Sequence, residues 1–156
     1  MLAMAIAAKR TLASLRAFIR GGTTRFSDAE SAIIEYAIAA LPIADQEILR
    51  EQLDALRLVQ RPHPGRLTIA YFHRPETLRT LPYPGYEHCL ARVTYKTKGK
   101  SRTSSLVLTD GRLMTIERNV PIRLDEIEAL TRIALHPARF RSVTAEIDHE
   151  EHGDMA

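Results

Sequence analysis

The chain contains a single cysteine, no tryptophan and only seven glycines among its 156 residues. The lone Cys89 excludes an internal disulfide, and one cysteine with six histidines does not supply the paired ligand spacing of a structural zinc site. The glycines are too scattered for a phosphate-binding loop, and the HExxH, GxSxG and protein-kinase motifs are absent. We therefore expect no cofactor, no bound metal and no catalytic motif. The sequence favours a non-enzymatic protein, although scattered catalytic groups would leave no local signature.

Long apolar runs are also missing. The run from residue 32 to residue 43 is broken by Glu35 and Pro42, and it is shorter than the roughly 20 residues that cross a bilayer. At the N-terminus the apolar residues precede Lys9 and Arg10, which reverses the order found in a secretory signal. These absences predict a cytoplasmic protein without a transmembrane span.

The composition is that of a globular protein, with 45% apolar and 26% charged residues. The length suits one domain, and the only linker candidate, residues 61–66, is too short to separate two. We therefore expect a single domain over residues 1–145. Residues 146–156 form an acidic tail after it.

Charge is distributed unevenly along the chain. Basic residues outnumber acidic ones by five to none over residues 1–27 and by nine to two over residues 61–102. Acidic residues outnumber basic ones by seven to two over residues 28–60 and by ten to six over residues 103–156. Such a pattern allows internal pairing, self-association or a basic surface for an acidic partner.

Residues 2–19 have the spacing of an amphipathic helix. The apolar positions are Met4, Ala8, Leu12, Leu15, Phe18 and Ile19, and the opposite side carries Lys9, Arg16 and Arg20. Gly21-Gly22 ends this basic segment, which occupies residues 1–26 with its turn. We expect its apolar side to pack within the domain, with contact at a membrane surface or a partner as the alternatives.

Two further helices follow in the sequence. Ser27 and Glu30 have the spacing of a capping box and begin the first, which ends at Leu41-Pro42. The apolar spacing predicts the second from about Ala44 to Gln60.

The pattern then changes to period two, which predicts four strands: residues 67–72, 88–98, 103–109 and 112–117. Lys98-Gly99-Lys100 is typical of a turn, and Asp110-Gly111 predicts a tight hairpin with positive φ at both central residues. Residues 122–135 return to helical spacing. We therefore predict an α+β fold: N-terminal helices, a four-stranded antiparallel sheet and a C-terminal helix.

Three positions are candidates for chemistry. His88 and Cys89 are consecutive in a strand and point to opposite faces, so they do not pair. Cys89 alternates in phase with Ala91 and Val93, which favours a buried, inert thiol over a nucleophile. His73 continues the side of Leu67, Ile69 and Tyr71, which favours a place at the rim of the core over a role as general base.

His149 and His152 lie among acidic residues in the tail, so a helical tail would bring nitrogen and oxygen ligands together. A solvated charged tail explains the same residues, and we expect no metal there.

The binding candidates are an aromatic loop and a basic strand. The loop contains Tyr83, which lies between two prolines, and Tyr86, and the strand presents Arg92, Lys96 and Lys98 on its polar side. We predict a non-catalytic protein-binding module in which the tyrosines anchor an acidic partner and the cations steer it. Self-association is also open. The alternative is a nucleic-acid-binding protein that uses residues 92–102, including Lys100 and Arg102.

Overall fold

The computed structural model describes most of the chain. The described residues are 15, 18–19, 21–63, 65–83, 86–120 and 127–135. The predicted acidic tail and most of the N-terminal segment therefore lie outside the described residues.

Two helices precede most of the sheet. Helix α1 spans Asp28–Ala39, and its capping box is confirmed, because the Ser27 hydroxyl accepts from the Glu30 N–H while the Glu30 carboxylate accepts from the Ser27 N–H. Helix α2 spans Ile43–Asp54. The prediction that it continues to Gln60 was wrong, because the chain turns at Ala55 and pairs in a sheet from Leu56 onward.

The sheet has seven strands, all antiparallel to their neighbours, in the order β1-β2-β3-β6-β5-β4-β7. Their bounds are β1 Gly22–Thr23, β2 Leu56–His63, β3 Leu67–Phe72, β4 Glu87–Thr97, β5 Lys100–Thr109, β6 Arg112–Arg118 and β7 Ala129–Leu135. A short 3₁₀ helix, Pro75–Thr77, follows β3. The four predicted strands are present, but a four-stranded sheet was wrong.

The predicted C-terminal helix over residues 122–135 was also wrong. Within the described part of that segment, Ala129–Leu135 is strand β7, which pairs with β4 from Ala91 to Lys96. Helical spacing of a few apolar residues does not distinguish a helix from a strand. The segment forms a strand because its pairing with β4 satisfies backbone N–H and C=O groups of β4 that would otherwise be exposed at an unpaired sheet edge.

Both predicted turns connect neighbouring strands. Asp110 and Gly111 have φ of 48° and 71°, which confirms the tight hairpin between β5 and β6. Lys98 and Gly99 have φ of 48° and 68° between β4 and β5. These two turns place three strands side by side in the centre of the sheet.

The core lies between the helices and one face of the sheet. Ile33, Ile34 and Ile38 of α1 and Leu49 of α2 belong to one buried cluster with inward side chains of the central strands. On the strands these are Leu90, Ala91, Val93, Tyr95, Leu106, Leu108, Leu113 and Ile116. Strand β3 turns Thr68, Ala70 and Phe72 inward.

Of the predicted N-terminal helix, the structure describes three residues, Leu15, Phe18 and Ile19. All three are helical, and their exposed fractions are 55%, 77% and 74%. The expectation that this apolar side packs within the domain was therefore wrong for these residues. None of the helices in the described ranges combines the length and apolar composition needed to span a membrane.

Candidate interaction surface

The face of the sheet opposite the helices is not covered by any element within the described ranges. We call it the open face. The residues of the open face alternate with the buried ones on five strands: Leu67, Ile69 and Tyr71 of β3, Thr115 and Glu117 of β6, Thr103, Ser105 and Val107 of β5, Cys89, Arg92, Thr94 and Lys96 of β4, and Arg132 and Ala134 of β7. Every one of these residues is half-buried or exposed.

Three cations lie together on this face. Arg92 and Lys96 are four residues apart on β4, and Arg132 lies on β7 directly opposite Thr94, which is midway between them. Arg132 is the diagonal neighbour of Arg92, with Cα atoms roughly 7–8 Å apart. A register shift between Thr94 and Tyr95 makes Lys96 pair with Ala129, on the other side of Arg132. We call Arg92, Lys96 and Arg132 the basic triad. Within the described ranges, no carboxylate forms an ion pair with any of the three.

Arg132 is the member that sequence reasoning missed. Its place on the open face follows from β7 being a strand, whereas the predicted helix gave it no relation to β4. Residues 129–135 offered no period-two signal, because their apolar residues do not alternate and the strand contains a register shift, and the helical spacing of Leu130, Ile133 and Ala134 favoured a helix.

An apolar row crosses the same face. The register places Ile69 beside Thr115, Thr115 beside Val107, and Val107 beside Cys89 on four neighbouring strands. These residues are half-buried. The open face therefore offers an apolar contact region next to cations.

A shallow groove of about 390 Å³ lies next to Arg92. It is lined by Arg92, Thr103, Ser105, Glu117, Arg118 and Asn119. The hydroxyl, guanidinium and carboxylate groups of the groove include both hydrogen-bond donors and acceptors, which suits the polar side chains of a bound protein.

The other three predicted cations do not join the triad. Lys98 is in the turn after β4, while Lys100 and Arg102 are paired with Thr97 and Tyr95. Because directly paired residues share a face, Lys100 and Arg102 lie on the helix-covered side at the end of the hairpin. The basic segment 92–102 is thus divided between two faces.

The two tyrosines of the aromatic loop differ from each other. Tyr83 packs against the core, and its ring stacks on His88 with centroids 4.6 Å apart. Burial, and secondarily the Asp45 carboxylate, raises the pKa of Tyr83 above its ordinary value. Tyr86 is 70% exposed. Only Tyr86 therefore presents its ring to solvent.

The loop and the basic strand are not adjacent. The Tyr86 carbonyl accepts from the Asp110 N–H at the start of β4, whereas Lys96 lies ten residues further along the chain. An extended strand of that length spans roughly 33 Å. One partner would reach both regions only by running along β4.

Cys89 does not lie on the side predicted for it. A bulge at Leu90 makes Cys89 pair with Val107 and Ala91 pair with Leu106, so Cys89 faces the open side and is half-buried. The expectation that it shares the buried side of Ala91 and Val93 was wrong.

The two histidines lie apart from that thiol. His88, paired with Leu108, points to the opposite face from Cys89 as predicted. His73 is exposed at the end of β3, three strands away, because Thr68, Ala70 and Phe72 form the inward side instead of Leu67, Ile69 and Tyr71. The arrangement brings neither imidazole to the thiol.

No cluster of three metal-ligating side chains occurs among the described residues. His149 and His152 lie outside them.

A buried polar cluster under the sheet joins α1 to three strands. The Glu30 carboxylate, which is fully buried, accepts hydrogen bonds from Arg61 at 2.5 Å, from Thr68 at 2.6 Å and from Arg118 at 3.4 Å. Arg118 also donates to the Thr68 hydroxyl at 3.2 Å, while its Nε has no hydrogen-bond partner among the residues that the structure describes. Two guanidinium groups thus share one carboxylate.

These contacts decide the ionisation of Glu30. Burial alone would raise its pKa, but the hydrogen bonds from Arg61, Thr68 and the Ser27 N–H outweigh burial and lower the pKa. In the sequence, the capping box alone accounts for Glu30. No residue pattern there indicated that its carboxylate also pairs with Arg61 and Arg118. The predicted strand also ended at Glu117, one residue before the inward-facing Arg118.

The sequence matches no protein-family model, and comparisons with curated proteins and with solved structures gave no significant match. The functional interpretation therefore rests on the residues of the open face.

Proposed function

We propose that the protein is a non-catalytic binding module that recognises an acidic protein partner through the basic triad on its open face. The observation that carries this proposal is the placement of Arg92, Lys96 and Arg132 on two paired strands of an uncovered face, without a carboxylate partner within the described ranges. Charges in this state are available to an external anion and steer its approach.

The neighbouring apolar row supports a protein rather than a nucleic acid as the partner. Protein interfaces combine an apolar centre with a polar rim, and the row formed by Ile69, Thr115, Val107 and Cys89 lies beside the triad. Single-stranded nucleic acids instead need rings among the cations. Tyr71 is the only aromatic residue of the open face within the described ranges, and it lies on β3, three strands from β4.

The tyrosines have separate roles in this proposal. Tyr86 serves as a distal anchor for an extended partner that follows β4 away from the triad. Tyr83 holds the loop by stacking on His88. Cys89 is a free thiol, and because free thiols persist in reducing compartments we propose a cytoplasmic location.

Two double variants, each reversing two charges on one face of the sheet, test the assignment of the open face as the binding surface. The variant Arg92→Glu/Lys96→Glu reverses two triad charges, and Lys100→Glu/Arg102→Glu makes the same change in net charge on the other face. The probe is a fluorescent polyglutamate peptide, with binding measured by anisotropy. Since an exposed ion pair contributes up to about 1 kcal/mol, the loss of two such pairs should weaken binding by about tenfold, against about threefold or less for the control.

Equal losses in the two variants would show that only the net charge matters and would remove the open face as the site. A single-stranded oligonucleotide provides the second probe. Binding of the oligonucleotide in preference to the peptide, with steep weakening in added salt, would replace the protein partner with nucleic acid.

A further inference from the structure

The sheet ends at strand β7, which has an open edge beside the basic triad. Strand β7 is terminal in the strand order, so it pairs with β4 on one side, and no strand within the described ranges pairs with its other side. Such an edge presents a row of backbone N–H and C=O groups to an extended segment. Recognition by strand addition uses these groups for affinity and the alternating side chains for specificity.

The side chains of β7 divide between the two faces of the sheet. Leu130, Ile133 and Leu135 pair with inward residues of β4, and all three are half-buried although they pack against the core. Arg132 is paired with Thr94 and lies on the open face, where it is exposed. A strand added at this edge would therefore meet an apolar inner side and a cationic outer side.

A groove of about 670 Å³ lies between the first turns of α1 and the start of β7. We call it the inner groove. Its apolar lining comes from two small residues of α1 and two larger residues at or just before the start of β7: Ala29, Ala32, Ile127 and Leu130. The carboxylates of Asp28 and Glu128 also belong to residues that line it, which disfavours acidic side chains there. The inner groove therefore suits apolar side chains of an added strand.

We propose that an extended segment of the partner protein adds to the sheet at β7, with acidic side chains beside Arg132 and apolar side chains in the inner groove. This inference rests on the proposed function, because it assigns a binding mode to the acidic partner of the basic triad. Opposite charges on neighbouring strands stabilise a sheet, whereas like charges directly opposite destabilise it. Strand β7 contains one cation and no acidic residue. A second copy of β7 would thus bring an arginine to this edge instead of a carboxylate.

Strand addition makes a specific demand on the backbone of the ligand. In an antiparallel pair, alternate residues direct their N–H groups to the neighbouring strand, and the residues between them direct theirs away. A segment that lies across the open face has no such requirement. Removing one half of the N–H groups of a peptide therefore distinguishes the two binding modes.

The probe is a fluorescent octapeptide of alternating glutamate and valine, with binding to the full-length protein measured by anisotropy. Two further peptides are N-methylated, one at every glutamate and the other at every valine. We expect one of them to bind as the unmethylated peptide does. The other should bind at least about tenfold more weakly, because it loses several hydrogen bonds that each contribute roughly fivefold in affinity.

A variant of the inner groove provides a second measurement. Ala32→Phe places a large side chain in the groove and leaves the basic triad unchanged. It should weaken binding of the unmethylated octapeptide by about tenfold or more, because a buried valine side chain contributes at least that much. Ala39→Phe is the matched control, since Ala39 is exposed at the end of α1, and it should bind as the wild type does. Equal melting temperatures would show that both variants are folded.

Three results would overturn strand addition. The first is equal binding of the two N-methylated peptides, and the second is no binding of the octapeptide while polyglutamate still binds. In both cases the proposed function stands if Arg92→Glu/Lys96→Glu weakens polyglutamate binding, and it falls together with this inference if that variant has no effect. The third is a dimer in analytical ultracentrifugation that Ala32→Phe converts to a monomer without any binding of the octapeptide, since a second copy would then occupy the edge.

Discussion

At the scale of single residues, Glu30 combines two roles in one side chain. It closes the capping box of α1 and is the only carboxylate that pairs with the guanidinium groups of Arg61 and Arg118 among the described residues. Because Arg118 is buried and its Nε has no hydrogen-bond partner within the described ranges, loss of the Glu30 charge would leave an uncompensated cation inside the domain.

We expect Glu30→Gln to lower the free energy of unfolding by about 3–5 kcal/mol, the range observed when one partner of a buried ion pair is removed. Urea denaturation measures this change. Glu35→Gln is the matched control, because Glu35 pairs with Arg50 on the surface with both side chains about half exposed, and it should cost about 1 kcal/mol or less.

The pairing of Glu30 with the two arginines makes the stability difference between wild type and Glu30→Gln depend on pH. The pKa of Glu30 in the folded protein lies below its ordinary value of 4.5, so the carboxylate stabilises the fold above that value. The stabilisation is lost as the pH falls through the lowered pKa. The difference between wild type and Glu30→Gln should therefore be full at neutral pH and shrink in acid. A difference that stays constant through the acid range would contradict this account of Glu30.

At the scale of elements, the two hairpin turns have the same backbone conformation but different surroundings. Gly99 and Gly111 have φ of 68° and 71°, yet a Cβ at Gly99 would have no atom within 4 Å. A Cβ at Gly111 would lie 2.5 Å from the Leu81 carbonyl oxygen and 2.9 Å from the Thr80 Cβ. The Gly111 carbonyl also accepts from buried Gln52 of α2.

We expect Gly99→Ala to cost about 1–2 kcal/mol, which is the strain of the left-handed conformation. Gly111→Ala should cost roughly 1–3 kcal/mol more, because the loop that contacts the turn must also move. Thermal or urea unfolding of the two variants measures the difference. Equal costs would mean that the loop before β4 does not pack on the β5–β6 turn.

The elements also show where sequence reasoning succeeded. The capping box at Ser27 and the turn at Asp110-Gly111 were predicted because each depends on neighbouring residues alone. Helix α2 was predicted too long because Leu56 and Val59 continue its apolar spacing, whereas pairing with β3 decides the conformation of this segment. Strand β7 was missed for the same reason, since its pairing partner lies more than thirty residues earlier in the chain.

At the scale of the whole molecule, the strand order determines which residues share a surface. Arg92 and Lys96 were predicted to lie on one polar side of β4, and the structure places them together on the open face. The addition of Arg132, and the separation of Lys100 and Arg102 onto the other side, depend on the pairing of β7 and on the register of the β4–β5 hairpin. Neither of these can be read from residues close together in sequence.

The measurement that tests the central claim most directly is an NMR titration of the full-length protein with a polyglutamate peptide. We expect the amide shifts to be concentrated at the basic triad and at Thr94 between its members, with little change at Lys100 and Arg102 on the opposite face. Shifts centred on Lys100 and Arg102, or no saturable shifts on β4 and β7, would contradict the assignment of the open face as the binding surface.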